Sequence, residues 1–107
     1  MTDPGYFILR HEDYDSTVYW LKNHRHQFLC DVYDRVKYAI EHNRERVKLY
    51  KYTRCGQVLK RYNILTDDIL NGNYIRNTIL KYFELQEHYD KCAQIKKWLD
   101  DLSYRND

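Results

Sequence analysis

Four side chains that can ligate a metal stand in two pairs with helical spacing. His26 and Cys30 are four residues apart, and so are His88 and Cys92. On helices each pair lies on one face about one turn apart. Two such pairs on facing helices would supply the ligands of a tetrahedral Cys₂His₂ zinc site. No CxxC spacing accompanies them, so we expect buried thiols near surface histidines, with no metal and no other cofactor.

Groups capable of catalysis are scattered along the chain. Each of the three cysteines, at positions 30, 55 and 92, could act as a nucleophile beside a histidine. Neighbouring acids could bind a divalent cation, and they stand at Asp13/Asp15, Asp67/Asp68 and Asp100/Asp101. The sequence has no glycine-rich phosphate loop, no HExxH and no GxSxG. We therefore predict a protein without catalytic residues, whose acid pairs are helix-end or surface charges.

The strongest charge feature is a basic segment at residues 35–62. It holds nine Lys or Arg against Glu41 and Glu45, a net +7 in a chain of net +2. Lys and Arg can follow a phosphate backbone by releasing counterions, and the interleaved tyrosines can stack on unpaired bases. The candidate nucleic-acid-binding residues are Arg44, Arg46, Lys48, Lys51, Arg54, Lys60 and Arg61. The alternative is a solvated face whose long basic side chains cover neighbouring apolar surface.

The spacing of apolar residues predicts a long helix that includes much of the basic segment. Asp15 or Ser16 can cap its start. Apolar residues then recur at steps of four or seven, at Leu21, Phe28, Val32, Val36, Ile40 and Val47. The helix either breaks near Asn43 or continues to about Arg54, and we favour the longer helix with a kink. Residues 1–15 before it are predicted to form an extended arm or a short strand around Tyr6–Leu9.

The segment Gln57–Ile69 resembles a helix-turn-helix motif. Asn63 suits the turn, and Thr66 can cap a second helix. The resemblance implies a second helix that reads DNA. Asp67 and Asp68 would bring negative charge to the end of that helix that meets phosphates. We therefore favour an ordinary corner between two helices.

The last third of the chain predicts a helical hairpin. One helix carries Ile75, Ile79, Tyr82 and Phe83, and a turn near Glu87-His88 leads to a helix with Tyr89, Cys92, Ile95, Leu99 and Leu102. Residues 80–102 resemble the hairpins of UVR motifs and of tetratricopeptide repeats. In both, an aromatic residue just past the turn is followed by small residues, here Tyr89 and then Cys92 and Ala93. The resemblance covers about a fifth of the chain, and it implies binding to the helices of another protein.

These patterns predict an all-α fold for a single domain at residues 16–107. We expect a small helical bundle with one long N-terminal helix and a C-terminal helical hairpin. One Pro and three Gly are too few for an all-β fold. An odd count of three cysteines indicates a reducing compartment. The chain shows neither a signal peptide pattern nor an apolar run of membrane length, so we expect a cytoplasmic protein without a membrane partner.

Tyrosine is unusually frequent, with 12 residues against three Phe and two Trp. Its hydroxyl needs water or a partner, so a small domain cannot bury all of these residues at its centre. Tyr is enriched at protein interfaces. Tyr33 lies off the apolar stripe, and Tyr50 and Tyr52 would extend the aromatic run along the same long helix. We predict that these three residues form a partner-binding surface.

The sequence therefore favours a small non-enzymatic protein that binds another protein, or itself, through a Tyr-rich helical surface. Such a protein would act as an adaptor, inhibitor or assembly factor. The first alternative is a regulator that binds RNA or single-stranded DNA, or DNA through a degenerate helix-turn-helix, by its basic segment. The second alternative is a structural subunit of a larger assembly, viral or otherwise.

Overall fold

The protein is an α+β fold, and the prediction of an all-α bundle is wrong. A computed structural model describes residues 3–10 and 23–105, with side chains up to residue 102. The predicted helix start at Asp15 or Ser16 and the acid pair Asp13/Asp15 lie outside these residues. The chain forms two compact units, residues 1–64 and 65–107. We call them the N-terminal and C-terminal units and describe each by itself.

Among its described residues, 3–10 and 23–64, the N-terminal unit contains a three-stranded mixed sheet and one helix. Its elements are β1 (Phe7–Arg10), α1 (Arg25–Glu41), β2 (Arg46–Arg54) and β3 (Gln57–Leu65). The strand order is β1-β2-β3, and β1 is parallel to β2 with Phe7 opposite Tyr50. Because α1 lies between these two parallel strands in sequence and packs on β2, the three form a βαβ connection. Its core includes Leu9, Leu29, Val32, Val36 and Val47.

The predicted long helix is wrong because α1 ends at Glu41. Asn43 has a left-handed φ of 53°. The Arg44 N–H donates to the Ala39 carbonyl at 2.8 Å, and the Asn43 N–H donates to the Ile40 carbonyl at 3.3 Å. These two bonds form a Schellman motif, which satisfies the last carbonyls of a helix and turns the chain away. The helix therefore stops at the earlier of the two positions that the sequence allowed.

Residues 46–65 form a β-hairpin where helices were predicted. Aromatic and β-branched residues, which favour strands, stand in β2 at Val47, Tyr50, Tyr52 and Thr53. Cys55 and Gly56 connect β2 to β3 with φ values of 49° and 79°. Two central residues with positive φ are typical of the type I′ turn, whose twist matches that of antiparallel strands. The helix-turn-helix resemblance and the favoured corner between two helices are both wrong, because Gln57–Leu65 forms the strand β3.

The C-terminal unit is helical and contains the expected hairpin. Its elements are α2 (Thr66–Asn71), a π-helical segment (Ile75–Leu80), α3 (Lys81–Leu85) and α4 (Tyr89–Arg105). Leu65, and not Thr66, occupies the N-cap position of α2. A second Schellman motif closes α3, with Glu87 at φ 59° and the His88 N–H donating to the Phe83 carbonyl at 2.9 Å. The core contains Leu70, Ile75, Ile79, Phe83, Cys92, Ile95, Trp98 and Leu102.

Within residues 3–10 and 23–105, no helix combines the length and the apolar character needed to cross a bilayer.

Candidate nucleic-acid interface

All seven basic candidate residues lie on one hairpin or directly before it. We call residues 44–65 the basic hairpin. Its only acidic residue is Glu45, so its net charge is +6, and the rest of the chain carries −4. Six of the seven cations are exposed and Lys51 is half-buried. The structure thus gathers in one supersecondary element the charge that the sequence had assigned to a helix.

A continuous line of aromatic rings crosses the sheet beside these cations. The ring of Phe28 on α1 contacts Phe7 of β1 edge to face, with centroids 5.5 Å apart. Phe7 contacts Tyr50 of β2 at 5.6 Å, and Tyr50 contacts Tyr62 of β3 at 4.3 Å. We call these four residues the aromatic row. Each of them is half-buried.

Within the described part of the N-terminal unit, three cations lie over aromatic rings. The Arg35 guanidinium is 5.0 Å from the Phe7 centroid, and the Lys60 ammonium is 4.6 Å from that of Tyr62. The Lys51 ammonium is 5.7 Å from the Tyr6 ring. Cation–π attraction of this kind is worth about 0.5–1 kcal/mol at exposed sites. It holds positive charge next to aromatic rings, and proteins that bind single strands combine these two kinds of side chain.

A polar connection between strands adds residues that sequence reasoning missed. The Arg46 Nε donates to Asn63 Oδ1 at 2.6 Å, and Asn63 Nδ2 donates to the Tyr6 hydroxyl at 3.3 Å. Phe7, Phe28 and Arg35 were also missed as site residues. The sequence signal for Phe7 and Asn63 was the strand propensity of residues 46–54. A strand there requires neighbouring strands, and these carry the two side chains.

The three predicted partner-binding tyrosines do not share a helix. Tyr33 lies on α1 with 6% of its surface exposed, which leaves little of its ring for a partner. Tyr50 and Tyr52 are on β2, half-buried, and Tyr52 is opposite Leu9 of β1. The described part of the chain therefore has no helical surface built from all three. Their role in binding a protein stays a prediction.

The two histidine–cysteine pairs lie in different units. Cys30 Sγ is 3.5 Å from His26 Nε2, whereas Cys92 is linked to His88 by a backbone bond from its N–H to the His88 carbonyl at 3.1 Å. Among the residues that the structure describes, no group of three or more His, Cys, Asp or Glu could hold a metal ion. The zinc interpretation gains no support from this arrangement.

The three cysteines have different environments. All three are described, and none forms a disulfide. Cys92 is buried in α4, whereas Cys55 is exposed in the hairpin turn. Burial raises the pKa of the Cys92 thiol, and the nearby Glu84 carboxylate raises it further. Because the thiolate is the reactive form, the raised pKa and the burial both protect Cys92.

We expect alkylation by iodoacetamide at pH 8 to modify Cys55 at least about tenfold faster than Cys92. Raising the pH should increase the rate at Cys92, because its raised pKa leaves it protonated at pH values where an ordinary thiol has begun to ionise. Peptide mass spectrometry over time measures both rates. In urea the two rates should converge. Equal rates without denaturant would contradict the burial of Cys92.

Comparison of this chain with models of protein families, with curated proteins and with solved structures found no match.

Proposed function

We propose that this protein binds single-stranded nucleic acid through the basic hairpin. The observation that carries the proposal is the segregation of charge: net +6 lies on residues 44–65 and net −4 on the rest. A phosphate backbone is attracted to the hairpin, and its counterions are released when the cations replace them. The acidic remainder disfavours contact elsewhere on the chain. The hairpin is therefore where a polyanion would dock.

The aromatic row supports a single strand over a duplex. Unpaired bases expose both ring faces, and stacking on tyrosine accepts any base. Reading a duplex requires an element that enters a groove and contacts phosphates on both sides. The helix α1 is poorly suited to this, because it carries three basic and three acidic residues. The hairpin is not an isolated two-stranded ribbon either, because β1 pairs with the other edge of β2. A sheet with half-buried rings between cations fits an extended strand better.

The proposal predicts a strong dependence of affinity on salt. If about five cations contact phosphates, the logarithm of the association constant should fall with the logarithm of salt with a slope of about −3.5. Raising salt from about 50 to about 200 mM should then weaken binding about 100-fold. Fluorescence anisotropy with a labelled strand of mixed sequence measures this, and a duplex of the same sequence is the control.

Two results would reject the proposal. One is the absence of measurable binding to the single strand at about 50 mM salt, where electrostatic attraction is strong. The other is equal or tighter binding to the duplex, because the aromatic row would then contribute nothing to the choice of ligand.

A second candidate function, binding to another protein, is favoured by an exposed apolar pair in the C-terminal unit. Leu85 and Tyr89 are 82% and 68% exposed and flank the turn between α3 and α4. Large apolar side chains exposed together often mark interaction sites. On this proposal the protein is an adaptor, inhibitor, assembly factor or subunit of a larger assembly.

An affinity pull-down from the native host, with and without nuclease, separates the two proposals. Recovery of a protein partner that survives nuclease and is lost with Leu85→Ser and Tyr89→Ser would favour protein binding. Recovery that disappears with nuclease and is unchanged by these substitutions would favour the basic hairpin. Both exchanged residues are exposed, so folding should be preserved.

A further inference from the structure

A small pocket in the N-terminal unit collects four cations around one carboxylate. Its walls include Arg35 of α1, Arg44 in the connection to β2, and Arg46 and Lys48 of β2. The carboxylate is that of Asp3. The pocket measures about 60 Å³, whereas one water requires about 10–15 Å³ by the same measure. It therefore has room for a small group of several atoms, in a positive environment.

The Asp3 carboxylate makes the contacts that an anionic ligand would make. Its Oδ1 accepts the Gly5 N–H at 2.8 Å, and its Oδ2 accepts from Lys48 Nζ at 3.4 Å. The Gly5 hydrogen bond, followed by Lys48 and Arg44, lowers the pKa of Asp3, although its partial desolvation opposes this. The acid is therefore ionised at neutral pH, where it neutralises part of the charge of the pocket.

The segment that carries Asp3 is held in place by its backbone. Gly5 has a φ of 65°, a left-handed conformation that glycine adopts at little cost. Its carbonyl accepts a bond from Arg35 Nε at 3.2 Å. Arg35 in turn pairs with Asp31 at 3.3 Å. A backbone N–H and several cations thus converge on one small volume, which is the donor set that phosphate oxygens prefer.

We propose that this pocket, which we call the Asp3 pocket, binds a phosphate dianion, and that Asp3 is its built-in competitor. With Asp3 ionised, an entering dianion meets a like charge within a few ångströms, which weakens its binding. The dianion has two possible sources, a free small phosphate compound or the terminal phosphate of a nucleic-acid strand. The second source rests on the proposed function, and the first does not.

The first test uses inorganic phosphate at low ionic strength with the full chain and isothermal titration calorimetry. Asp3→Asn removes the like charge and adds an N–H donor, so it should tighten phosphate binding about tenfold. The matched control is Asp68→Asn, an equal charge change at an exposed position in the C-terminal unit. Arg44→Gln should weaken binding by a similar factor, and Arg54→Gln, on the basic hairpin outside the pocket, should change it little.

The second test compares a 5′-phosphorylated with a 5′-hydroxyl oligonucleotide. Tighter binding of the phosphorylated strand, lost in Arg44→Gln, assigns the pocket to a strand end. Equal binding of the two strands, with inorganic phosphate still bound, assigns it to a free phosphate compound. The proposal is overturned if Asp3→Asn and Asp68→Asn bind phosphate alike, or if Arg44→Gln and Arg54→Gln weaken it equally. Neither result bears on whether the basic hairpin binds a strand.

Discussion

Replacing Arg54, Lys60 and Arg61 together with glutamate is expected to weaken binding of a single strand by more than about 100-fold. All three side chains are exposed. The exchange takes the net charge of the basic hairpin from +6 to zero, because each substitution changes it by two units. Three phosphate contacts are lost and three repulsions take their place. Anisotropy titrations at about 50 mM salt measure the loss, and the salt dependence should become shallow at the same time.

The matched control makes the same change of charge elsewhere. Arg76, Lys81 and Lys97 are exposed residues of the C-terminal unit, and their joint replacement with glutamate leaves the hairpin intact. This variant should lose only a small part of the affinity, through the longer-range field of the protein. If both triple variants lose affinity equally, net charge alone governs binding and the hairpin is not a site.

The second large effect concerns the core of the C-terminal unit. Phe83 is fully buried, and its ring meets those of Tyr82 and His88 at centroid distances of 5.4 and 5.9 Å. Phe83→Ala should lower the free energy of unfolding by about 3–5 kcal/mol, because it removes buried apolar surface and leaves a cavity. This is a large fraction of the stability of a small protein. Urea unfolding followed by circular dichroism measures the loss.

Leu85→Ala is the control on the same helix. Leu85 is 82% exposed, so its truncation should change the free energy of unfolding by less than about 0.5 kcal/mol. Comparable losses at the two positions would mean that Phe83 does not lie in a packed core.

The sequence predicted well those elements whose apolar spacing was both helical and bounded. The stripe of Val32 and Val36 is buried on α1, and Ile79, Phe83 and Ile95 are buried in the C-terminal unit as predicted. The turn between α3 and α4 lies at Glu87, close to where the sequence predicted it. Tyr89 is the exception, because it continues the stripe of α4 and yet is exposed.

The sheet was not predicted because the position of Val47 fits both the helical spacing and the strand alternation. Val47 follows Ile40 by seven residues and therefore continues the helical stripe, but it also stands in a strand whose neighbours Arg46 and Lys48 are exposed. Asn43 has a left-handed backbone that ends α1, so Val47 lies in the strand and not in a continued helix. The hairpin turn was not predicted because Cys55 occupies its first central position, where Asn, Asp or Gly is usual.

The candidate site was predictable in charge but not in shape. The seven cations could be named from composition, because the basic segment has few acids. The aromatic row could not, because Phe7 and Phe28 reach Tyr50 only through the pairing of β1 with β2 and the packing of α1. Such contacts join residues distant in sequence, and spacing along one chain does not reveal them.

The most direct test of the central claim is a map of amide chemical shifts by NMR during titration with a short single strand. We expect the largest changes on residues 44–65, with further changes at Phe7 and Phe28, and only small changes at the amides of α4. Changes centred on the turn between α3 and α4, or no changes at strand concentrations well above those of the anisotropy titrations, would contradict it.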